Sequence, residues 1–365
     1  MNPNCEPLSR PGDEDYWRLL ARKVDRLRIP FSGGIALTHR CNLRCVHCYA
    51  REEGRPGAPA GRELSAGRWK EIIDEIKDAG CLLLLVTGGE PLLRPDFADI
   101  YTHIKRNGFF VTLFTNGTLL TEETAALLAD LPPRSVEISL YGATPGTHDR
   151  ITGAAGSFAR ALKAVEMLRA REIPVAIKSV VLTLNDHEFP ALNELAGSLG
   201  VDFRVDAALF PGITGDRSPL AYRVSPERAV SVEFADSAKV EEWREFLDRF
   251  RSSSGPEELY PCNSGVSTFH IDPYGDLYPC LMVRKLSYPL GTGRFRTGWD
   301  EVMPKLRDGA AAPDSRCRGC KMKLVCGYCP GFFEMENGDE RVPSEYTCAL
   351  GRLRFDRLNR DDNGG

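Results

Sequence analysis

Residues 38–50, THRCNLRCVHCYA, place Cys41, Cys45 and Cys48 within eight positions. Three thiols on so short a stretch ask which metal wants three ligands. A closed structural zinc site takes four. His39 and His47 are at hand, but His47 adjoins Cys48, and neighbouring residues rarely converge on one ion. A cubane iron–sulfur cluster normally takes four thiolates. Three thiolates on one loop hold three irons and leave the fourth open, as a Lewis acid and an electron donor. The missing thiol is then the functional vacancy.

Most of the other cysteines form a second collection: Cys262, then Gly275-x4-Cys280, then Cys317-x2-Cys320-x5-Cys326-x2-Cys329, then Cys348. Of 12 in all, only Cys5 and Cys81 stand alone. Cys81 opens an apolar run and reads as a small core thiol; Cys5 lies in a polar tail. The N-terminus, MNPNCEPLSRPGDEDYW, has no basic segment followed by an apolar one, so no signal peptide is read. The expected compartment is the cytoplasm, where thiols stay reduced. Clustered cysteines there are metal ligands or reactive thiols more often than disulfides. A zinc ribbon separates its Cys-x2-Cys pairs by about 15–20 residues; here only five intervene, and zinc leaves Cys262, Cys280 and Cys348 unexplained. The formal net charge of -4 gives no reason to expect nucleic acid or an anionic membrane as the main partner. The run CLLLLV at 81–86 is far too short to span a bilayer.

These residues need elements to position them. YWRLLARKVDRLR at 16–28 carries Trp17, Leu20, Val24 and Leu27 on one helical face. Apolar or β-branched runs then recur at 35–38, 82–87, 110–115, 135–140, 175–182 and 203–210, with helix-period segments between them. One helix is expected over 66–79, with Ser65 as N-cap, Gly80 past its end and Trp69, Ile72, Ile73 and Ile76 facing inward. Another is expected from Ser157 to about Arg171. Six β–α repeats imply an α/β fold with a parallel sheet covered by helices, either a doubly wound sheet or a barrel short of eight units. In both, function belongs at the C-terminal ends of the strands. There the chain places the cysteine motif, then GGEP, TNG and YGA. From about residue 258 the alternation gives way to loops rich in Gly, Pro and Cys, the composition of a small metal-stapled module.

The Cys-x3-Cys-x2-Cys spacing with Tyr49 beside the last thiol, joined to Gly88-Gly89-Glu90-Pro91 after the second strand, resembles the radical S-adenosylmethionine (SAM) enzymes. The resemblance implies a partial (β/α)6 TIM-type barrel, a [4Fe-4S] cluster on Cys41, Cys45 and Cys48, and SAM on its open iron. Gly88–Pro91 would line the SAM amino group, glycines allowing close approach and a carboxylate suiting an ammonium. Ser139 would meet the ribose. Asn116, Lys178 and Arg150 would be further SAM contacts, and LFPG at 209–212 would pass the adenine. One electron into the sulfonium would yield a 5′-deoxyadenosyl radical that takes hydrogen from the substrate. The late cysteines are similar to the SPASM extension, which implies two auxiliary [4Fe-4S] clusters. Cys317, Cys320, Cys326 and Cys348 would hold one, and Cys262, Cys280 and Cys329 the other, with an open iron or a non-cysteine ligand such as Asp272 or His270. The expected division is a tail and helix over 1–34, the barrel over 35–235, and a bridging helix, SPASM domain and tail over 236–365.

SPASM enzymes mostly modify peptides or proteins, so the resemblance implies a peptide maturase that alters side chains oxidatively or forms C–C or C–S cross-links. Leu281 stands where formylglycine-forming members carry a basic Asp, which counts against that chemistry. Tetrapyrrole side-chain decarboxylation is the alternative, since those relatives often share the late cysteine spacing. An electron-transfer protein is the alternative outside catalysis, but it leaves Gly88–Pro91 idle. Only 34 residues precede the first strand, too few for a precursor-binding domain of about 80–90 residues. A separate recognition protein or a direct barrel contact is therefore expected, with flavodoxin or ferredoxin as electron donor. Glu137 and Asp206, on strand runs, carry no assignment as acid or base.

Overall fold

The computed structural model describes residues 13–50, 63–235, 237–250, 258–308 and 316–360. Cys5 and the start of the 236–365 segment lie outside them.

Six strands run parallel: β1 (Ser32–Ala36), β2 (Leu83–Thr87), β3 (Phe110–Thr115), β4 (Ser135–Ser139), β5 (Val175–Val180) and β6 (Asp202–Asp206). Helices α1 (Asp13–Arg26), α2 (Ala66–Asp78), α3 (Phe97–Arg106), α4 (Glu122–Asp130), α5 (Pro145–Thr152), α6 (Ser157–Arg169) and α7 (Phe189–Leu199) precede, link or follow them. The α2 expectation holds in detail. The Ser65 hydroxyl accepts from Arg68 N, and Trp69, Ile72, Ile73 and Ile76 are buried. Each such side chain contributes about 1.5–3 kcal/mol on leaving water. α6 starts without a capping side chain of its own, at Gly156. The carboxylate of Asp149 substitutes, accepting from Gly156 N, Ser157 Oγ and Phe158 N at 2.6–2.9 Å.

The sheet does not stop at the barrel. Its order is β6-β5-β4-β3-β2-β1-β7-β8-β9, with β7 (Thr268–Ile271), β8 (Asp276–Tyr278) and β9 (Tyr288–Pro289) drawn from the cysteine-rich part. β7 pairs with β1 in parallel, Gly34 opposite His270, and β8 and β9 add antiparallel. The first strand thus begins at Ser32, before the apolar run that announced it. The reason is steric. A Cβ on Gly33 would lie 2.1 Å from Phe269 Cζ. The glycine that weakens the strand signal is what lets the Phe269 ring lie across it.

β6 forms the other edge. Beyond it α8 (Pro226–Glu233), α9 (Ser237–Phe250) and, after the short α10 (Phe295–Thr297) and α11 (Pro330–Asn337), the last helix α12 (Glu345–Arg360) build a second core. Buried Arg354 on α12 ties it together. Its guanidinium donates to Glu233 at 2.8 and 3.2 Å and to Val325 O at 2.9 Å. At the far side Trp299 Nε1 donates to Arg28 O, and Ser267 Oγ to Asp25, which seats α1 on the cysteine-rich part. Among the described residues no helix is long and apolar enough to cross a membrane.

Candidate functional site

The C-terminal ends of the strands open on a cavity of about 760 Å³, lined by Cys41, Cys45 and Cys48 among others. The cysteine loop is held from both sides. Arg44 N and Val46 N donate to the carbonyls of Thr152 and Ile151 at 2.8 and 3.0 Å. On the other flank Gly89 N donates to Thr38 O at 2.7 Å and Glu90 N to Arg40 O at 2.9 Å. No side chain fits between these strands of backbone. A Cβ on Gly88 would stand 2.3 Å from Thr38 O, and one on Gly89 2.4 Å from Arg40 O. The paired glycines therefore serve close approach to the thiol loop as well as leaving bare backbone on the cavity wall.

Gly88, Gly89, Asn116, Ser139 and Lys178 line this cavity, as do Leu209 and Phe210. Asn116 Nδ2 donates to Asn42 Oδ1 at 3.0 Å and, at 3.8 Å, to Cys41 Sγ. Burial pushes the Cys41 thiol up. Ser139 hydrogen-bonds Tyr141, whose ring stands edge-on to His47 at 4.4 Å. Burial holds His47 neutral, down to about 4. The Lys178 ammonium lies 4.6 Å over the Phe114 ring, and its charge partly offsets the burial that raises Asp206.

Three expected cofactor contacts stand elsewhere. Glu90 is fully buried, and its carboxylate accepts from Leu92 N at 3.0 Å, Thr115 Oγ1 at 2.7 Å and Asn116 N at 2.7 Å. It joins the ends of β2 and β3 rather than facing the cavity, and burial pushes it up to about 7. Pro91 is buried at the start of a short 3₁₀ turn. Arg150 is exposed, because α5 turns His148, Ile151 and Thr152 inward. Glu137 is paired with Arg204 at 2.6 Å.

The late cysteines fall into two separate groups. Cys317, Cys320, Cys326 and Cys348 line a smaller cavity of about 190 Å³ with Arg316, Lys323 and Tyr328. Burial, then the charges of Cys348, Cys317 and Cys320, push Cys326 up to about 12. Cys329 belongs with the other group: burial raises it to about 11, with Cys280 and Cys262 adding to the rise. The two Cys-x2-Cys pairs therefore do not close on one ion. Among the described residues no three His, Cys, Asp or Glu converge on a point. In the two cavities the thiols instead border a volume, and thiolates around a volume suit a multi-iron cluster better than a single zinc.

The two non-cysteine ligands expected for the three-thiol group have other surroundings in the structure. The Asp272 carboxylate accepts from Tyr274 N and Asp276 N, both at 3.0 Å, and from Arg284 at 3.2 Å. It shapes the β7–β8 turn. His270 lines the large cavity instead, buried and lowered to about 3 by burial, with Arg284 and His39 adding to the fall. Its Nε2 is buried without a partner. Sequence reasoning missed His270 as a wall residue, along with Tyr274 and Glu63. Only the β1–β7 pairing brings His270 there. Leu281, directly after Cys280, also lines the cavity.

Residues 35–196 match the Radical SAM superfamily. The chain is 31% identical over 324 residues to an AdoMet-dependent heme synthase of Methanosarcina barkeri, covering 83% of this chain and 92% of that protein. It is 33% identical over 294 residues to the mycofactocin maturase MftC of Mycobacterium ulcerans, covering 78% and 77%. Its fold matches Streptococcus suis SuiB bound to the precursor peptide SuiA with a TM-score of 0.66 at 18% identity, covering 95% of this chain and 84% of that one.

Proposed function

Because this chain belongs to the radical SAM superfamily and is an enzyme of the SPASM type, we propose that it takes hydrogen from a ribosomal peptide and leaves an oxidised side chain or a C–C or C–S cross-link. Cys41, Cys45 and Cys48 would hold the SAM-binding [4Fe-4S] cluster. When bound, that cluster and SAM supply the 5′-deoxyadenosyl radical. The bare backbone of Gly88–Gly89, with Asn116, Ser139 and Lys178, would hold SAM against it. Cys317, Cys320, Cys326 and Cys348 would hold one auxiliary cluster, and Cys262, Cys280 and Cys329 a second with an open iron. In this reading the barrel occupies 35–235 and the cluster module 236–365, within one sheet, and the protein works in the cytoplasm. A precursor-recognition protein and a flavodoxin or ferredoxin would be its partners.

The observation that carries the peptide reading is the wall of the large cavity. Leu43, Leu85, Phe114, Val180, Phe210 and Leu281 make much of it apolar. Of its cations, Arg40 lies 3.4 Å from Glu63 and Lys178 has Asp206 nearby, with Arg44 as the third. A substrate with several carboxylates would need more positive charge than that. The second reading, tetrapyrrole decarboxylation, is favoured by the span of the likeness to the heme synthase.

The test is anaerobic reconstitution with SAM and a reductant. Each candidate precursor peptide, and separately an iron-bound tetrapyrrole carboxylate, is assayed for 5′-deoxyadenosine and for mass change. Loss of hydrogens from a peptide supports the first reading. Loss of carbon dioxide from the tetrapyrrole replaces it with the second.

A further inference from the structure

The loop 262–268 is held unusually firmly for a stretch without regular structure. The carbonyl of Asn263 accepts from Val266 N, Ser267 N and Thr268 N at 3.0–3.1 Å. The Arg307 guanidinium donates to the carbonyls of Cys262 and Ser264, the latter at 2.9 Å. Arg28, two residues past the end of α1, donates to Gly265 O at 2.8 Å. What these contacts fix in place is Ser264, which is only 8% exposed.

Its hydroxyl serves two sulfurs. Ser264 Oγ lies 3.2 Å from Cys262 Sγ and also hydrogen-bonds Cys280. As free thiols, the cysteines can donate to that oxygen. Once they are metal-bound thiolates they can only accept, so the hydroxyl has to supply the proton. A serine so close to a coordinating sulfur is not itself on another corner of the cube, because ligand atoms on different irons stand well beyond hydrogen-bond distance of one another. Hydrogen bonds to coordinating sulfur are among the levers that set a cluster's potential, since they stabilise the more negative, reduced state.

Resting on the assignment of Cys262, Cys280 and Cys329 to an auxiliary cluster, we propose that Ser264 is the positioning residue of that site, donating its O–H to a coordinating thiolate and raising that cluster's reduction potential. A site bordered by three thiols would thereby become a better electron acceptor, in a module whose Leu281 lines the cavity.

The experiment is a potentiometric titration followed by electron paramagnetic resonance on the anaerobically reconstituted full-length holoenzyme. It compares the unaltered protein with Ser264→Ala and Ser264→Thr, and uses Cys280→Ala to assign the signal. In Ser264→Ala one signal, the one Cys280→Ala removes, should shift to more negative potential with iron and sulfide content unchanged. Ser264→Thr, which keeps the hydroxyl, should restore the potential. The SAM-binding cluster's signal is the internal check on folding. An unshifted potential in Ser264→Ala overturns the proposal. Loss of that signal together with its iron also overturns it, because serine would then be a ligand. If Cys280→Ala removes no signal and no iron, the auxiliary-cluster assignment itself fails, and that outcome is visible before any serine variant is measured.

Discussion

Glu90 offers the sharpest separation between two roles. In the cavity it would bind a cofactor ammonium; as observed, it spends its carboxylate on Leu92 N, Thr115 Oγ1 and Asn116 N. Glu90→Gln keeps the shape, but its one remaining oxygen satisfies two donors at best, and its new amide faces the third. One stranded donor costs about 1–3 kcal/mol. Glu90→Ala strands all three, roughly 3–9 kcal/mol by the same reckoning. Melting should therefore fall in the order unaltered, Gln, Ala. SAM affinity of the Gln variant should stay within about twofold, because a lost charge-assisted contact to an ammonium would weaken it by about tenfold or more. Differential scanning fluorimetry and isothermal titration with SAM, both under anaerobic conditions, read the two quantities. A Gln variant that melts like the unaltered protein but binds SAM tenfold more weakly would refute the structural role.

The same residue gives a pH signature. Burial lifts Glu90 from 4.5 to about 7, so between those values the folded state binds more protons than the unfolded one. Stability from this group is fully present below about pH 4.5 and is lost as pH rises towards 7, with a slope of at most about 1.4 kcal/mol per pH unit. The stability difference between the unaltered protein and Glu90→Gln should shrink over that window. A constant difference would contradict the assignment.

Other outcomes follow from the same geometry. Alanine at Cys41, Cys45 or Cys48 should abolish 5′-deoxyadenosine formation and remove about a third of the bound iron while the auxiliary signals persist; retained cleavage of SAM would count against the ligand set. Cys348→Ala and Cys262→Ala should erase two different auxiliary signals, because their thiols lie in separate groups. His148 and His270 are held neutral, at about 4 and about 3. Each therefore favours folding above pH 6.5 and loses that contribution as pH falls towards its folded value, at up to about 1.4 kcal/mol per unit; His148→Asn should flatten the acid limb of a melting-versus-pH curve. Arg354→Met leaves half-buried Glu233 with only the Trp243 indole N–H and strands Val325 O, a loss of about 1–3 kcal/mol, readable as a lower melting temperature.

The grouping of the thiols was legible in the sequence because their spacing is local. Cys41, Cys45 and Cys48 lie on one loop, and the separation of Cys329 from its near neighbours followed from a resemblance that the grouping of thiols matches. What escaped was direction. That a carboxylate follows Gly88–Gly89 is readable; that Thr115 and Asn116 arrive from β3 to claim it is not, since those contacts span 25 and 26 positions. The exposure of Arg150 escaped for a related reason: its neighbours His148, Ile151 and Thr152 fix which face of α5 is buried, and the motif alone does not. The sequence offers His270 as a candidate ligand of a cluster in a loop-rich region; its place on the cavity wall comes from the pairing of β7 with β1, which local spacing does not reveal.

Gly33 and Gly34 join two parts that composition separates. Because Phe269 and His270 occupy the space that Gly33 and Gly34 leave, the cysteine-rich part continues the barrel's own sheet instead of hanging from it. The wall of the cavity is accordingly written in two places. The barrel contributes the thiol loop, Gly88, Gly89, Ser139 and Lys178; the later chain contributes His270, Tyr274 and Leu281. Changes in the second set would alter which molecule fits without touching the residues proposed to hold SAM. The likeness to a heme synthase and to a maturase spans 83% and 78% of the chain, so it reaches into the later part too, and a difference in substrate among them would have to come from individual side chains on the walls that β7 and the segment after β8 supply.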